Sequence, residues 1–225
     1  MPLLSGPRLA SRMPGPARQL VVLLHGVGAD GEDLIGLAPA LAEHLPHAAF
    51  VAPDAPEPSD LAPFGRQWFS LRDRRPAALL AGAQASAPLL DAFLDAELAR
   101  HGLANHQLAL LGFSQGTMMA LYVAPRRAPA IAAVLGFSGA LLGAGLLAAE
   151  AVSRPPVLLV HGAADEVVPV EALFAAIEGL QAAGVPVQWQ VRPALPHAID
   201  PASLADGAAF LATAFADAER HGPSP

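Results

Sequence analysis

Short, continuous apolar runs alternate with longer segments of helical periodicity along most of the chain. The apolar runs at 19–24, 48–52, 107–111, 131–137, 156–160 and 185–191 predict strands, and the segments 76–101, 114–123, 170–183 and 203–219 predict helices. Strands that are apolar throughout, rather than at every second position, are typical of a sheet covered on both faces. The pattern therefore predicts an α/β fold with a mostly parallel central sheet and helices on both faces.

The chain of 225 residues fits a single domain, 1–225, because no internal repeat and no linker divides it. Prolines and glycines interrupt the first 18 residues, which receive no assignment, and residues 221–225 are expected to fray. The Pro-rich segment 53–76 has no clear periodicity and carries Trp68 and Phe69. It is interpreted either as a partial lid over a substrate site or as a surface loop anchored by two aromatic side chains.

Composition and charge exclude several functional classes. The net charge of -7 and the scattered basic residues argue against nucleic acid as a partner. The absence of cysteine excludes disulfides, a thiolate zinc site and a cysteine nucleophile, and no metal or organic cofactor is expected. Apolar runs such as 20–24 are too short to span a bilayer, and the N-terminus lacks an apolar signal segment. We therefore expect a cytoplasmic protein without stable membrane insertion.

The sharpest chemical motif is GFSQG at 112–116, which matches G-x-S-x-G between a predicted strand and a predicted helix. A tight turn there would present the Ser114 hydroxyl, and its flanking glycines would avoid collisions that side chains would cause. The helix begins just after the serine, so the Gln115 amide lacks a helical partner and is a candidate oxyanion donor. The alternative is a structural Gly-Ser-Gly turn. The similar run GFSGA at 136–140 lacks the second spaced glycine and predicts only a turn at a strand end.

A second glycine-rich loop, HGVGADG at 25–31, follows the first clear strand. In α/β-hydrolases the second oxyanion amide comes from a loop at this place, and the position of Val27 makes it the expected donor. The alternative, a phosphate-binding loop, lacks the Lys-Ser/Thr pair and the G-x-G-x-x-G pattern. His25 is expected to hold the loop by local hydrogen bonds.

A serine nucleophile needs a positioned base. The order serine, acid, histidine leaves the histidines at 161, 197 and 221, of which His197 lies in the loop after the last predicted strand. Asp165 follows the strand 156–160 and is the expected acid, whereas Glu166 is expected to be solvated. Asp200 is interpreted as a helix cap.

Six motifs together resemble the phospholipase/carboxylesterase family, which includes the acyl-protein thioesterases. They are LLHGVGADGEDL (23–34), RQWFSL (66–71), LLGFSQGTMMAL (110–121), GFSGALL (136–142), VHGAADEVVP (160–169) and PH (196–197). The resemblance spans about 18–215 and implies an α/β-hydrolase fold and a serine carboxylesterase that forms an acyl-enzyme, with thioesters or lysophospholipids as substrates of some members. It places the nucleophile on Ser114, the acid on Asp165 and the base on His197, with oxyanion amides on Val27 and Gln115.

The chain departs from the family pattern at Thr117 and Pro196, where many members have glycine. Two other functions stay open: a catalytically silent hydrolase-like binding protein, which would lack a triad residue, and a lactone or diene-lactone hydrolase, which generally has cysteine at the elbow. The expected partner is a small-molecule acyl ester, with Trp68 and Phe69 as candidate substrate-binding residues. Apolar surface near the mouth of the site would serve either a lipid-like acyl chain or a homodimer contact.

Overall fold

The computed structural model describes residues 4–221, and its centre is a seven-stranded sheet with the strand order β1-β3-β2-β6-β7-β8-β9. The strands are β1 (Arg8–Leu9), β2 (Gln19–Leu24), β3 (Ala48–Val51), β4 (Glu57–Pro58), β5 (Arg66–Gln67), β6 (Leu108–Phe113), β7 (Ala133–Phe137), β8 (Val157–Gly162) and β9 (Val187–Arg192). Only β1 runs antiparallel to its neighbour in this sheet, whereas β4 and β5 form a separate antiparallel pair. The predicted mostly parallel sheet is therefore confirmed.

Helices cover both faces of the sheet, as predicted. They are α1 (Gly31–Ile35), α2 (Ala38–His44), α3 (Pro76–His101), α4 (Gln115–Val123), α5 (Ala144–Glu150), α6 (Glu171–Ala182) and α7 (Pro201–His221). Residues of α1, α2 and α7 enter one buried apolar cluster, and residues of α3 to α6 enter the other. The sheet thus separates two cores.

Alternate side chains of each central strand serve these two cores. In β2, Leu20 and Val22 belong to one cluster and Val21 and Leu23 to the other, and all four are fully buried. Because successive side chains of a strand point to opposite faces, a strand covered on both sides is apolar at every position. This explains the continuous apolar runs of the sequence.

Several short elements lie where the sequence pattern predicts none. β1 lies within the first 18 residues and pairs with β3, α1 and α2 connect β2 to β3, and α5 connects β7 to β8. Elements of two to seven residues are too short to show a helical or strand period. At the other end α7 continues through His221, and residues 222–225 lie outside the described part of the chain.

The long helix α3 has the predicted bounds. Proline at 76 begins it, and Gly102, in the left-handed conformation with φ 65°, ends it. Of the helices within residues 4–221, α3 alone is long and apolar enough to cross a membrane by length and composition. In this fold its side chains Leu90, Phe93 and Leu94 are buried in the core that α4 shares.

Candidate active site

The carboxyl ends of three neighbouring parallel strands bring the expected catalytic residues together. Ser114 directly follows β6, and Asp165 follows β8, with β7 between the two strands. Ligands and substrates of open α/β sheets bind at this edge. The order of the strands therefore places a nucleophile and an acid from distant parts of the sequence at one edge of the sheet.

Ser114 occupies a strained turn between β6 and α4. Its φ is 54° and its ψ is -116°, a backbone conformation that side chains rarely adopt. A Cβ at Gly112 would lie 2.5 Å from the amide nitrogen of Thr117, and a Cβ at Gly116 would overlap the carbonyl of Leu24. The predicted reason for both glycines is therefore confirmed: the turn is too close to its own helix and to β2 for larger residues.

The turn at 112–116, here called the elbow, is also joined to β7 by hydrogen bonds. The Ser114 amide donates to the Phe137 carbonyl at 2.9 Å. The Thr117 hydroxyl donates to the same carbonyl at 2.8 Å and accepts from the Phe137 amide at 3.0 Å. The residue that departs from the family pattern at 117 thus fixes the start of α4 to the neighbouring strand.

His197 and Asp165 form the expected base–acid contact. His197 Nδ1 lies 2.7 Å from Asp165 Oδ2, and Asp165 Oδ1 accepts from the amides of Val167 and Val168 at 2.9 Å each. An ionised carboxylate only accepts hydrogen bonds, so the proton of the neutral ring lies on Nδ1 and Nε2 keeps its lone pair. This is the tautomer that a general base requires.

The charge of Asp165 is stabilised in place. Its burial by itself raises the pKa, but the hydrogen bond from His197 and those from the two amides outweigh burial and hold the pKa of Asp165 below its ordinary value. Asp165 therefore stays ionised beside the ring. Glu166, the neighbouring carboxylate, is exposed as expected.

The His197 ring lies beside Phe113, the residue that precedes Ser114. The rings of Phe113 and His197 are 4.8 Å apart between centroids. Within the described residues no hydrogen bond joins the Ser114 hydroxyl to the His197 ring. Catalytic hydrogen bonds of unliganded enzymes are often long and shorten in the substrate complex.

A second histidine supports the acid. His161 is buried, its Nε2 lies 2.8 Å from the Val168 carbonyl, and the same nitrogen is 3.4 Å from Asp165 Oδ2. A carbonyl accepts only, so Nε2 carries a proton and faces the carboxylate as well. His161 thus holds the loop of Asp165 in place, a role that its position before the acid in the sequence did not reveal.

The two expected oxyanion donors have free amides. Within residues 4–221 neither the Val27 nor the Gln115 N–H has a hydrogen-bond partner. Gly28, with φ 83°, turns the backbone just after Val27, and its amide donates to the Arg66 carbonyl at 2.8 Å. Both loops therefore have an amide that is available to a ligand at the carboxyl edge of the sheet.

His25 holds the first of these loops, as expected. Its Nδ1 lies 2.7 Å from the Gly26 carbonyl, and its Nε2 accepts from the Ala55 amide at 3.0 Å. Burial lowers the pKa of His25, partly offset by the bond to Gly26. A ring that accepts at one nitrogen and donates at the other is neutral, which agrees with the lowered pKa.

Trp68 and Phe69 do not have the expected role in binding substrate. Trp68 has no exposed surface and Phe69 is 3% exposed. The Trp68 amide donates to Gln115 Oε1 at 2.9 Å, and Gln115 Nε2 donates to the Phe69 carbonyl at 2.7 Å. The indole of Trp68 also donates to the His25 carbonyl at 3.0 Å. The two aromatic residues therefore hold the loops of Gln115 and His25, which agrees with the alternative interpretation of two aromatic side chains that anchor a loop.

The segment 53–76 is anchored rather than free, so the interpretation as an anchored surface loop fits better than that as a lid. The Arg66 guanidinium donates to the carbonyls of Ala55 and Pro56 at 2.5 and 2.7 Å, and β4 pairs with β5. Its tip carries exposed apolar side chains, Leu61 at 50% and Phe64 at 72% exposure. The expected apolar surface therefore lies on this tip, which adjoins the loop of Gly28.

Two further residues of the sequence analysis, Asp200 and Ser138, lie next to the start of a helix and the end of a strand. Asp200 accepts from the Ser203 amide at 2.6 Å and so caps α7, as predicted. Ser138 directly follows β7 with φ 50°, and its hydroxyl is buried without a partner in the described chain. Within residues 4–221 no group of three or more His, Asp or Glu side chains is arranged to hold a metal ion.

Comparisons with known proteins agree on one family. A model of the family "Phospholipase/Carboxylesterase" matches residues 11–215. Esterase YpfH of Escherichia coli is 31% identical over 84% of this chain and 80% of its own length, and acyl-protein thioesterase 1 of Saccharomyces cerevisiae is 27% identical over 92% and 97%. The crystal structure of esterase PE8 has a TM-score of 0.88 and 43% identity over 93% of this chain and 98% of that chain.

Proposed function

Since the chain belongs to the phospholipase/carboxylesterase family of α/β-hydrolases, we propose that it hydrolyses carboxylic esters with Ser114 as nucleophile, His197 as base and Asp165 as the orienting acid. The fold and the reaction class that the sequence motifs imply are confirmed by these comparisons: the protein is a serine hydrolase acting on ester bonds. The assignment of roles to residues is the part that we infer from geometry.

One contact carries the assignment. The 2.7 Å bond from His197 to Asp165 joins residues 32 positions apart in the sequence, at the sheet edge where Ser114 follows β6. A histidine whose Nδ1 is oriented by a buried, ionised carboxylate, at the sheet edge that carries a strained serine, has the arrangement of a catalytic base. The two free amides at Val27 and Gln115 provide the donors that ester hydrolysis requires.

In the first step the Ser114 oxygen attacks the ester carbonyl carbon while His197 Nε2 takes the hydroxyl proton. The carbonyl oxygen becomes an oxyanion that accepts from the Val27 and Gln115 amides. His197 then gives its proton to the leaving alcohol oxygen as the ester C–O bond breaks, which leaves an acyl-enzyme. Water then attacks the carbonyl carbon of the acyl-enzyme while one of its protons passes to His197. The bond from this carbon to the Ser114 oxygen breaks as His197 returns the proton to that oxygen, and the carboxylic acid leaves.

Oxygen esters are the principal proposed substrates and thioesters the second. The two esterases compared above are more similar to this chain than the yeast thioesterase is. The same steps break a C–S bond, since the oxyanion and the base are unchanged. We treat lysophospholipids as a further substrate class to be measured.

The test is hydrolysis of p-nitrophenyl acetate and butyrate, and of the matching thioesters, by Ser114→Ala. We expect kcat to fall by about 10⁴-fold or more while the circular dichroism spectrum is unchanged. A fluorophosphonate probe should label the wild type at Ser114, as read by peptide mass spectrometry. Ser138→Ala, the same change at the neighbouring strand end, should retain both activity and labelling. An active Ser114→Ala protein would refute the assignment.

A further inference from the structure

A cleft of about 260 Å³ lies beside Ser114, between α1 with its following turn and the loop of His197. Its walls are mainly apolar: Leu34 and Leu37 on one side, Phe113 and Ile199 on the other. This apolar lining suits a phenyl or branched alkyl group.

The cleft reaches the nucleophile through Gly26. Gly26 lines the cleft, and a Cβ placed there would lie 3.1 Å from the Ser114 Cβ and 3.4 Å from the Phe113 ring. The absence of a side chain at 26 therefore keeps the cleft continuous with the reacting oxygen. A group bound in the cleft would lie directly beside an ester carbonyl at Ser114.

The position of the cleft relative to His197 indicates which half of the ester it takes. Phe113 packs against the His197 ring, and Ile199 follows His197 by two residues, so the cleft lies on the histidine side of the site. In the proposed mechanism His197 gives its proton to the leaving oxygen, and the group attached to that oxygen must lie on this side. The acyl chain, which is attached to the other side of the carbonyl carbon, must then extend away from this cleft.

We propose that this cleft is the subsite for the alcohol part of the ester, and that it takes an apolar alcohol without negative charge. The proposal rests on the proposed function. Asp33 lines the cleft, and Glu32 and Asp30 lie in the same turn of chain, whereas no Lys or Arg lines it. A leaving group that carries a phosphate or carboxylate would be repelled there.

The first experiment varies the two halves of the substrate separately, with Leu37→Trp filling the cleft. In a series of acetate esters from methyl to benzyl alcohol, kcat/KM of the variant should fall increasingly with the size of the alcohol, to about tenfold for benzyl. In a series of p-nitrophenyl esters from acetate to octanoate, the ratio of variant to wild-type kcat/KM should stay the same. Leu146→Trp, at an exposed position of α5, is the matched control.

Deacylation separates the proposal from its main alternative. The alcohol has left before water attacks the acyl-enzyme. A substitution in the alcohol subsite should therefore change the rate of acylation, whereas the way in which the deacylation rate varies with acyl length should stay the same. If Leu37→Trp instead changes deacylation in proportion to acyl length, the cleft holds the acyl group and the proposal is overturned while the esterase assignment stands. A wild type that hydrolyses none of the esters would overturn the proposed function itself.

The second experiment tests the charge. Butyrate esters of 4-hydroxybenzoate and 4-hydroxybenzamide differ by one negative charge on leaving groups of the same shape. Asp33→Asn should raise kcat/KM for the anionic ester about threefold to tenfold relative to the neutral one, an effect that salt should weaken. Glu32→Gln makes the same charge change outside the cleft lining and should have a smaller effect. An equal effect of the two variants, or none, would overturn the charge selectivity.

Discussion

Two serines at neighbouring strand ends share an unusual backbone and differ in almost everything else. Ser114 directly follows β6 with φ 54°, and Ser138 directly follows β7 with φ 50°; they are the non-glycine residues with positive φ in the described chain. Each follows the same Gly-Phe pair in the sequence. Their turns are therefore alike in local sequence and in strain, which makes the pair a natural comparison.

The differences lie in what surrounds each hydroxyl. A helix begins directly after Ser114, so the Gln115 amide is left free, and the His197 ring lies against the adjacent Phe113. No helix follows Ser138 before α5, and its hydroxyl is buried without a partner in the described part of the chain. A strained serine becomes a nucleophile only when an oxyanion donor and a base come with it.

The largest expected effect concerns Asp165. If hydrolysis did not need Asp165, the base would not explain the difference between Ser114 and Ser138. Asp165→Asn places an amide donor where the His197 Nδ1 proton is now accepted, and so favours the wrong tautomer. We expect kcat for p-nitrophenyl acetate to fall by about 10⁴-fold with the fold intact. Glu166→Gln, the same change at the exposed neighbouring residue, should keep wild-type kcat. A small loss in Asp165→Asn would mean that Ser114 is activated in some other way.

The pH dependence of the unfolding free energy tests whether the ionised Asp165 carboxylate stabilises the folded protein. The pKa of Asp165 is held below its ordinary value of 3.8, so its ionised form stabilises the folded state above that pH. This stabilisation is lost as the pH falls through the lower, folded-state pKa, because the carboxylate must then be protonated. In urea denaturation, the difference in unfolding free energy between the wild type and Asp165→Asn should be constant above about pH 5. Below about pH 4 the wild type should lose unfolding free energy relative to the variant.

A further prediction concerns the bonds that join the two turns. Thr117→Val keeps the shape of the side chain but leaves the buried Phe137 amide without its acceptor. We expect the free energy of unfolding to fall by about 1–3 kcal/mol, measured by urea denaturation. Thr213→Val is the matched control, because the Thr213 hydroxyl is exposed and only donates to the Ala209 carbonyl. Its effect should stay within about 0.5 kcal/mol, and equal losses in the two variants would contradict the prediction.

The smallest expected effect is the change in stability when either strained serine is replaced by glycine, which compares the two turns directly. Glycine at 114 or at 138 relieves the strain of a positive φ, and at 138 it also removes a hydroxyl that is buried without a partner in the described chain. Ser138→Gly should raise the free energy of unfolding by up to about 1 kcal/mol, and Ser114→Gly by less. Activity should be lost in Ser114→Gly and kept in Ser138→Gly. A destabilised Ser138→Gly protein would show that this hydroxyl has a stabilising role.

The sequence predicted the parts of the molecule that depend on local chemistry. The central strands are apolar on both faces and the elbow glycines have a steric cause, so both could be read from single segments. The position of His197 beside Phe113 required only that the last loop return to the same edge.

Other features depended on contacts between distant segments. Trp68 was expected to face a substrate, but its amide and indole bond to Gln115 and His25, residues 47 and 43 positions away. Short elements such as α1 have no period to detect, and the cleft that α1 lines exists only once three segments meet. The missing information was the packing partner of each segment, which composition and spacing do not contain.

The helix α1 has five residues, and side chains cap its N-terminus. Asp30 and Asp33 bond reciprocally to each other's amides, and the Gly31 amide donates to Asp54. A segment that is capped in this way can exchange its outward side chains without disturbing the elbow or the imidazole. Selectivity toward new alcohols could then diversify in descendants of this protein, or in directed-evolution libraries restricted to this one turn, while the hydrolytic apparatus is inherited unaltered.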